Sequence, residues 1–312
     1  MNLKYLLPFL FIIYSCSEKD KNTQVATETS VITNKKGGII SLNFKNLNLE
    51  IDSSAGARIS SFKVGDKELL YTSRDSNNNN WGSTFWPSPQ SLWGWPPPAI
   101  LDNSPYKVTL LKDTVTLTSQ NAILPSINIS KTIYSNSIDT SITIKYSMKN
   151  TSDSAIKIAP WEISRVPSGG HIVFPKGNDT PRGELQALFK DSLGAVWFDY
   201  DSTKIPAGVP KLFADGSEGW LAYANNSRQI IIKKFKDSPL NLKAPDPENE
   251  IEIYTHPGNH YIEVEQQGPY ELLSPGSSTT WTVKWYARQI PPNVDVSFGS
   301  ASLLAYIRNV VK

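Results

Sequence analysis

The most constraining feature of this sequence is the alternation of apolar and polar residues over many short segments. The segments IISLNF at 39–44 and LNLEI at 47–51 show the two-residue period of a half-buried strand. The same period recurs at 58–64, 107–111, 114–118, 127–134, 141–148, 156–158, 170–174, 219–224, 229–235, 250–255, 261–265 and 279–287. Since strand side chains point alternately to opposite faces, each segment has one face suited to a core.

Turn-forming residues separate these segments, and only the end of the chain has a helical pattern. Pairs such as Gly65-Asp66 and Pro275-Gly276 are typical turn signals. In 301–311 the apolar residues instead recur at the spacing of one helix face. Many short strands and one helix predict an all-β fold, a large antiparallel β-sandwich with a short C-terminal helix.

One segment is unusually dense in tryptophan and proline. Residues 81–98 read WGSTFWPSPQSLWGWPPP and hold four of the nine tryptophans in the chain. Because prolines disfavour both a helix and a central strand, the segment is predicted to be a rigid loop laid over a sheet. The rings of Trp86, Trp93 and Trp95 either line a cleft, where flat aromatic faces stack on sugar rings, or form an apolar lid without a ligand.

The N-terminal residues have the pattern of a bacterial lipoprotein signal peptide. Lys4 provides a positive start, residues 5–13 form an apolar run too short to span a bilayer, and Cys16 follows a small residue. This pattern resembles a lipobox, whose cysteine is acylated; a secretory peptide with an incidental cysteine is the alternative. It predicts a signal peptide over 1–16, a lipid anchor at Cys16 and a cell-envelope location, with Ser17 favouring the outer membrane.

The composition of the rest of the chain limits the classes of partner that we expect. Residues 17–38 are rich in Thr, Asn, Lys, Ser and Glu, which predicts a flexible tether, and residues 39–312 are then one β-sandwich domain. The net charge is +2, from 31 basic and 29 acidic residues, so the charge indicates no nucleic-acid partner. Cys16 is the only cysteine, which excludes a disulfide within the mature chain. The predicted partners are a carbohydrate and a membrane, with no cofactor.

The order of several motifs resembles that of the galactose-mutarotase-like superfamily. The motifs are GARISSF at 56–62, KELLY at 67–71, MKNTSDS at 148–154, YIEVE at 261–265 and LLSPG at 272–276. The resemblance covers 39–287, and the segments WPSPQ at 86–90 and WPPP at 95–98 place it nearest to a bacterial lipoprotein branch. It implies a mutarotase-like β-supersandwich and, as function, chemistry of the aldose 1-epimerase type on a sugar.

The resemblance also implies candidate catalytic residues. Mutarotation needs a base for the C1 hydroxyl and an acid for the ring oxygen, and the resemblance assigns the base to Glu265. Glu263 shares the strand face of Glu265, so the two carboxylates either shift one another's pKa or simply face solvent. The second histidine usual in the enzymes is absent from 159–163. The candidate imidazole is His171, at a strand start beside two glycines, with a structural role as the alternative.

Three further charged residues, Arg58, Glu162 and Arg165, are candidates for binding sugar hydroxyls or carboxylates. Arginine presents a fork of donors to such groups, although an Arg–Glu pair equally serves to close a sandwich. His256 and His260 lie four apart ahead of the Glu265 strand. Imidazole and carboxylate oxygen both ligate zinc, but loop histidines have no preset geometry, and no metal site is predicted.

These residues distinguish three hypotheses. A carbohydrate-binding lipoprotein depends on its tryptophans, whereas an aldose 1-epimerase-like enzyme also depends on Glu265. A structural lipoprotein without a small-molecule ligand packs the tryptophans over its core. Because one fold hosts many functions, the choice must come from the site.

Overall fold

The computed structural model describes Met1 and residues 30–34, 36–74, 79–122 and 125–312. The predicted signal peptide and Cys16 therefore lie outside the described residues, as does most of the predicted tether. A short strand, Val31–Asn34, falls within the range 17–38 and pairs with the strand Ile39–Phe44. Among the described residues, no helix is long and apolar enough to cross a membrane.

Each segment with the two-residue period forms a strand. The strands are β1 (Val31–Asn34), β2 (Ile39–Phe44), β3 (Leu47–Asp52), β4 (Arg58–Val64), β5 (Lys67–Glu68), β6 (Ser83–Ser88), β7 (Lys107–Leu111), β8 (Thr114–Thr118), β9 (Ile127–Asn136), β10 (Ser141–Asn150), β11 (Ile156–Pro167), β12 (His171–Pro175), β13 (Phe189–Ser192), β14 (Ala195–Asp199), β15 (Lys211–Ala214), β16 (Trp220–Ala224), β17 (Gln229–Lys234), β18 (Ile251–Thr255), β19 (Tyr261–Gln267), β20 (Glu271–Leu273) and β21 (Ser278–Gln289). The helices are α1 (Ala99–Asp102) and α2 (Ala301–Val310), with 3₁₀ turns at Gln90–Leu92, Gln186–Leu188 and Leu240–Leu242.

In the described part of the chain, these strands build two antiparallel sheets. The first has the order β1-β2-β3-β4-β6-β11-β19-β18-β15, with β5 beside β4 and β20 beside β11. The second has the order β13-β14-β12-β16-β17-β21-β10-β9-β8-β7. The prediction of an all-β sandwich is thus confirmed. Strands far apart in sequence, such as β6, β11 and β19, become neighbours at the centre of the first sheet.

The core lies between the sheets and is built from their inward-facing residues. Phe62 of β4 meets Trp285 of β21 edge-on, with ring centres 5.4 Å apart. Phe85 of β6 stacks on Tyr146 of β10 at 4.0 Å. Such aromatic contacts join the two sheets and bury large apolar areas.

The tryptophan- and proline-rich segment is not a loop throughout, because Ser83–Ser88 forms the central strand β6. The prediction of a loop was wrong for these residues. The Arg165 N–H donates to the Gly82 carbonyl at 2.9 Å. This register makes Pro87 and Pro160 opposite residues in a non-hydrogen-bonded pair. Neither proline removes a hydrogen bond between β6 and β11, so both are tolerated there.

The C-terminal helix is present as predicted. The Ser300 hydroxyl caps it by accepting a hydrogen bond from the Leu303 N–H at 3.2 Å. Leu303, Leu304 and Ile307 are buried and belong to an apolar cluster on the second sheet that includes Trp220. The helix therefore covers the face of the second sheet that points away from the first.

Glu162 lies between the two sheets, which corrects its prediction as a residue of the cleft. Residues 162 and 165 are three apart on β11 and so point to opposite faces. Glu162 is fully buried, and its carboxylate accepts hydrogen bonds from four side chains: Tyr146, Lys233, Gln266 and Trp285. These donors compensate for burial of the charge. Burial lowers the pKa of Lys233 to about 8, against the opposing effect of the Glu162 charge.

Candidate functional site

The outer face of the first sheet carries a cleft of 370 Å³. Its residues come from β6, β11, β19, β18 and β15, from the loops before and after β6, and from the loop before β15. The lining consists of Asn80, Trp86, Gln90, Trp95, Trp161, Ile163, Val209, Lys211, Tyr254, Glu263 and Glu265. Four of the residues predicted from the sequence to bind or turn over a sugar are among them.

Strand register brings these side chains together. Trp86 lies opposite Trp161, and Ile163 lies opposite Glu265. On the next strand, Glu265 lies opposite Glu252. Opposite residues of an antiparallel pair share a face, so the outward residues of neighbouring strands form one continuous floor.

Trp86 is the centre of an aromatic cluster in this floor. Its ring contacts Trp93, Trp95 and Trp161 edge-on, with ring centres 5.7, 6.1 and 5.7 Å away. Trp86 itself is buried, whereas Trp95 is 61% exposed. The segment therefore combines the two alternatives left open by the sequence, since some of its tryptophans pack inside and Trp95 projects at the mouth of the cleft.

Arg58 does not line the cleft; it supports Trp86 of the cleft through Asp102. Its guanidinium donates to Asp102 Oδ2 at 2.9 Å, and the other oxygen of Asp102 accepts the indole N–H of Trp86 at 2.9 Å. All three side chains are buried. Arg58 thus holds the carboxylate that fixes the orientation of the Trp86 ring.

Trp93 also has a supporting position. Its indole N–H donates to the Pro87 carbonyl at 2.8 Å, which ties the 3₁₀ turn Gln90–Leu92 back to the end of β6. Glu248 accepts hydrogen bonds from Ser88 and from the Gln90 N–H at the same turn. These three hydrogen bonds therefore anchor the part of the loop that precedes Trp95.

Two cations lie among three carboxyl groups at the cleft. Arg165 donates to Glu263 Oε1 at 2.8 Å and is itself buried, with its guanidinium 5.5 Å from the Trp86 ring. Lys211 Nζ lies 2.5 Å from Glu252 Oε2 and 3.3 Å from Glu265 Oε2. Each cation is thus fixed by a carboxylate and faces an aromatic ring, an arrangement that stabilises partly buried charge.

Glu265 has the most unusual environment of these groups. Burial raises its pKa to about 8, with the neighbouring Lys211 acting in the opposite direction and Glu252 in the same one. Burial also opposes the charge of Lys211, but Glu252 and Glu265 outweigh that effect and raise its pKa above the ordinary value. Burial therefore favours the neutral form of Glu265 beside a charged ammonium group.

The two carboxyl oxygens of Glu265 differ in their partners. Oε2 accepts the indole N–H of Trp161 at 2.9 Å and faces Lys211. Oε1 is buried and has no hydrogen-bond partner among the residues that the structure describes. The proton of the neutral acid therefore belongs on Oε1.

The structure does not bring His171 to the cleft. It lies on β12 in the second sheet, with Nδ1 3.0 Å from Asp199 Oδ1. His256 and His260 lie in the turn between β18 and β19, with ring centres 4.9 Å apart. Within the described ranges, no three His, Cys, Asp or Glu side chains are grouped so as to hold a metal ion.

Sequence reasoning missed several residues of the cleft, above all Trp161, Lys211 and Tyr254. The signal for Tyr254 was present, because Glu252 and Tyr254 alternate with buried isoleucines in a segment predicted as a strand. Lys211 lies on the four-residue strand β15, which is too short for a periodic pattern to stand out.

Comparison with solved structures identifies the architecture. A galactose mutarotase-like protein from Lactobacillus casei superposes with a TM-score of 0.58 over 80% of this chain and 100% of its own, at 15% identity. A proposed aldose 1-epimerase from Escherichia coli gives 0.55 over 83% and 100%, at 12% identity. This chain has the galactose mutarotase-like fold. No protein-family model and no curated protein sequence matches it.

A protein from Synechocystis is also similar to this chain, with a TM-score of 0.58 at 13% identity, covering 83% of this chain and 98% of that one. At such identities the likeness concerns the fold alone. The cleft residues of this chain must therefore be interpreted from their own geometry.

The raised pKa of Glu265 predicts a pH dependence of stability. Its pKa is about 8 in the folded protein against 4.5 ordinarily, so the folded state binds the proton more tightly. The stabilisation is complete below the ordinary value and is lost as the pH rises through about 8. Urea unfolding across this range should show wild type losing stability relative to Glu265→Gln as pH rises.

The matched control is Asp153→Asn, which removes an exposed carboxylate outside the cleft. A difference between wild type and Glu265→Gln that stays constant or grows in favour of wild type with rising pH would contradict the assignment of a neutral Glu265.

Proposed function

We propose that this protein binds a carbohydrate in the cleft between Trp86, Trp95 and Trp161. The observation that carries the proposal is the combination of aromatic faces with an unpartnered buried oxygen, Glu265 Oε1. Indole faces stack on the C–H faces of sugar rings, while carboxyl, amide and ammonium groups bind the hydroxyls. The galactose mutarotase-like and aldose 1-epimerase names of two proteins with similar structures agree with a sugar ligand.

Replacing Trp95 by alanine should weaken saccharide binding about tenfold or more, because one stacking face is removed. Trp95 is largely exposed, so the fold should remain intact. Isothermal titration of monosaccharides and glycans found by array screening measures the effect. Leu272→Ala, which removes an exposed apolar side chain outside the cleft, is the control and should bind as wild type does.

Equal binding by Trp95→Ala and wild type would place the ligand elsewhere. If no glycan binds, the alternative of a ligand-free envelope protein is the better account.

A second candidate function is aldose 1-epimerase-like turnover, favoured by the two carboxyl groups on one strand face. Neutral Glu265 is suited to protonate the ring oxygen, and Glu263, held by Arg165, is suited to accept the C1 hydroxyl proton. As both protons move, the bond from C1 to the ring oxygen breaks and the C1 carbonyl forms. Rotation about C1–C2 and the reverse transfers give the other anomer. This assignment makes Glu265 the acid, whereas the resemblance implied a base.

For this activity, Glu265→Gln should abolish enzyme-dependent anomer exchange while sugar affinity changes only modestly. Exchange by the wild type should decline as the pH rises through about 8, where Glu265 loses its proton. Saturation-transfer NMR on the sugar that binds best measures the rate. Exchange by wild type no faster than in buffer would remove the enzymatic candidate and leave the binding function standing.

We also propose that the chain is a lipoprotein of the cell envelope, anchored in the outer membrane through Cys16. Support comes from the lipobox-like residues before Cys16 and from the absence of any other cysteine in the sequence. More than one acyl chain is needed for lasting attachment.

Cys16→Ser should move the expressed protein from the detergent phase to the aqueous phase in a phase-partition assay. Ser15→Ala keeps a small residue before the cysteine and should still partition into detergent. Identical partition of Cys16→Ser and wild type would exclude acylation at Cys16.

A further inference from the structure

We infer that the ligand of the cleft is a linear oligosaccharide that runs from Trp95 to Phe213 along a groove. The inference rests on the proposed carbohydrate binding and concerns the size of the ligand. It predicts more than one sugar-binding position on this face of the sheet.

The tryptophan-lined cleft does not end at Lys211. A second hollow of 400 Å³ continues past Trp161 and Lys211 to Phe213 and Glu252. A third, of 420 Å³, continues from Phe213 to Arg182. All three hollows share Val209 and Lys211. They therefore form one groove that crosses β18 and β15.

The direction of the groove follows from the sheet order. Strand β15 is the end of the first sheet among the described strands, and Lys211 and Phe213 are two apart on it, so they share the outer face. Phe213 lies opposite Glu252 on β18. The groove thus leads from the centre of the sheet to β15 and to Arg182, whose backbone pairs with Phe213 on the outer side of β15.

Aromatic faces and charges alternate along this path. Lys211 Nζ lies 5.0 Å from the Trp161 ring centre and 5.4 Å from that of Phe213. The ammonium group therefore separates two aromatic surfaces. A glycan presents the same alternation, because each ring offers a C–H face and each sugar also offers hydroxyls.

Large apolar side chains at the rim of the groove are exposed to solvent. Trp95 is 61% exposed and Val209 is 72% exposed, and both line the groove. At the far end, Arg182 pairs with Asp179 and Asp246 at 3.1 and 2.8 Å. A single sugar held at Glu265 would leave Phe213 and the Arg182 end uncovered, whereas a chain of sugars contacts both.

The test is a chain-length series measured by isothermal titration. The probes are glucose, mannose, galactose and N-acetylglucosamine, each with its linear di-, tri- and tetrasaccharides. For the sugar that binds, affinity should rise about tenfold or more from the monosaccharide to the longer chains, because a second aromatic face is engaged.

Phe213→Ala should remove most of this gain and leave monosaccharide affinity within about twofold, whereas Phe213→Tyr, which keeps the ring, should retain the gain. Circular dichroism checks that both variants fold, and the wild-type series tests the inference independently of them.

The outcomes separate the two proposals. Equal affinity for all chain lengths, combined with loss of binding in Trp95→Ala, would overturn the oligosaccharide groove and keep carbohydrate binding in the cleft. A gain with length that persists in Phe213→Ala would also overturn the groove. Absence of binding by every probe would count against both proposals.

Discussion

The two-faced central strand β11 is the constraint on which the rest of the structure depends. Its even-numbered residues Glu162 and Ser164 point between the sheets, while Trp161, Ile163 and Arg165 point to the cleft. A shift of one residue in its register would exchange these two sets and place the cleft residues in the core. The pairing of β11 with both β6 and β19 therefore determines the interior and the site together.

Charged side chains are buried on both faces of β11, but their hydrogen bonds are more fully satisfied on one face than on the other. Between the sheets, every oxygen of Glu162 has a donor and the charge of Lys233 is matched. In the cleft, Lys211 is shared by Glu252 and Glu265, and one oxygen of Glu265 has no partner among the described residues. A satisfied buried network makes a core more specific, whereas an incomplete one is costly without a ligand or a bound proton. The two carboxyl groups differ in this way, although Oε1 of Gln266, which donates to Glu162, also has no partner among the described residues.

The fold was largely predictable from the sequence, because the two-residue period is a local property and reports burial directly. The limits of that signal explain the errors. The prolines of β6 suggested a loop. However, Pro87 lies opposite Pro160 in a non-hydrogen-bonded pair, where no backbone N–H is needed between β6 and β11. The four-residue strands β13 and β15 left too few residues for a clear period, and β14 is buried at four of its five positions and so shows no alternation. In the candidate site, the unusual residue types marked Trp86 and Trp95, the family resemblance marked Glu265, and the strand spacing then marked Glu263.

By itself, the sequence determined the all-β class, the C-terminal helix and the shared face of Glu263 and Glu265, since each depends on the spacing of residues near one another in the chain. Only the tertiary structure decided which side chains meet. Arg58 turned out to hold Asp102 behind Trp86, and His171 lies on the other sheet. Lys211 reaches Glu265 across two strand pairings that join residues 54 apart in the chain. The register between strands that are far apart in the chain depends on how the whole sandwich packs its core. No local sequence pattern specifies that register.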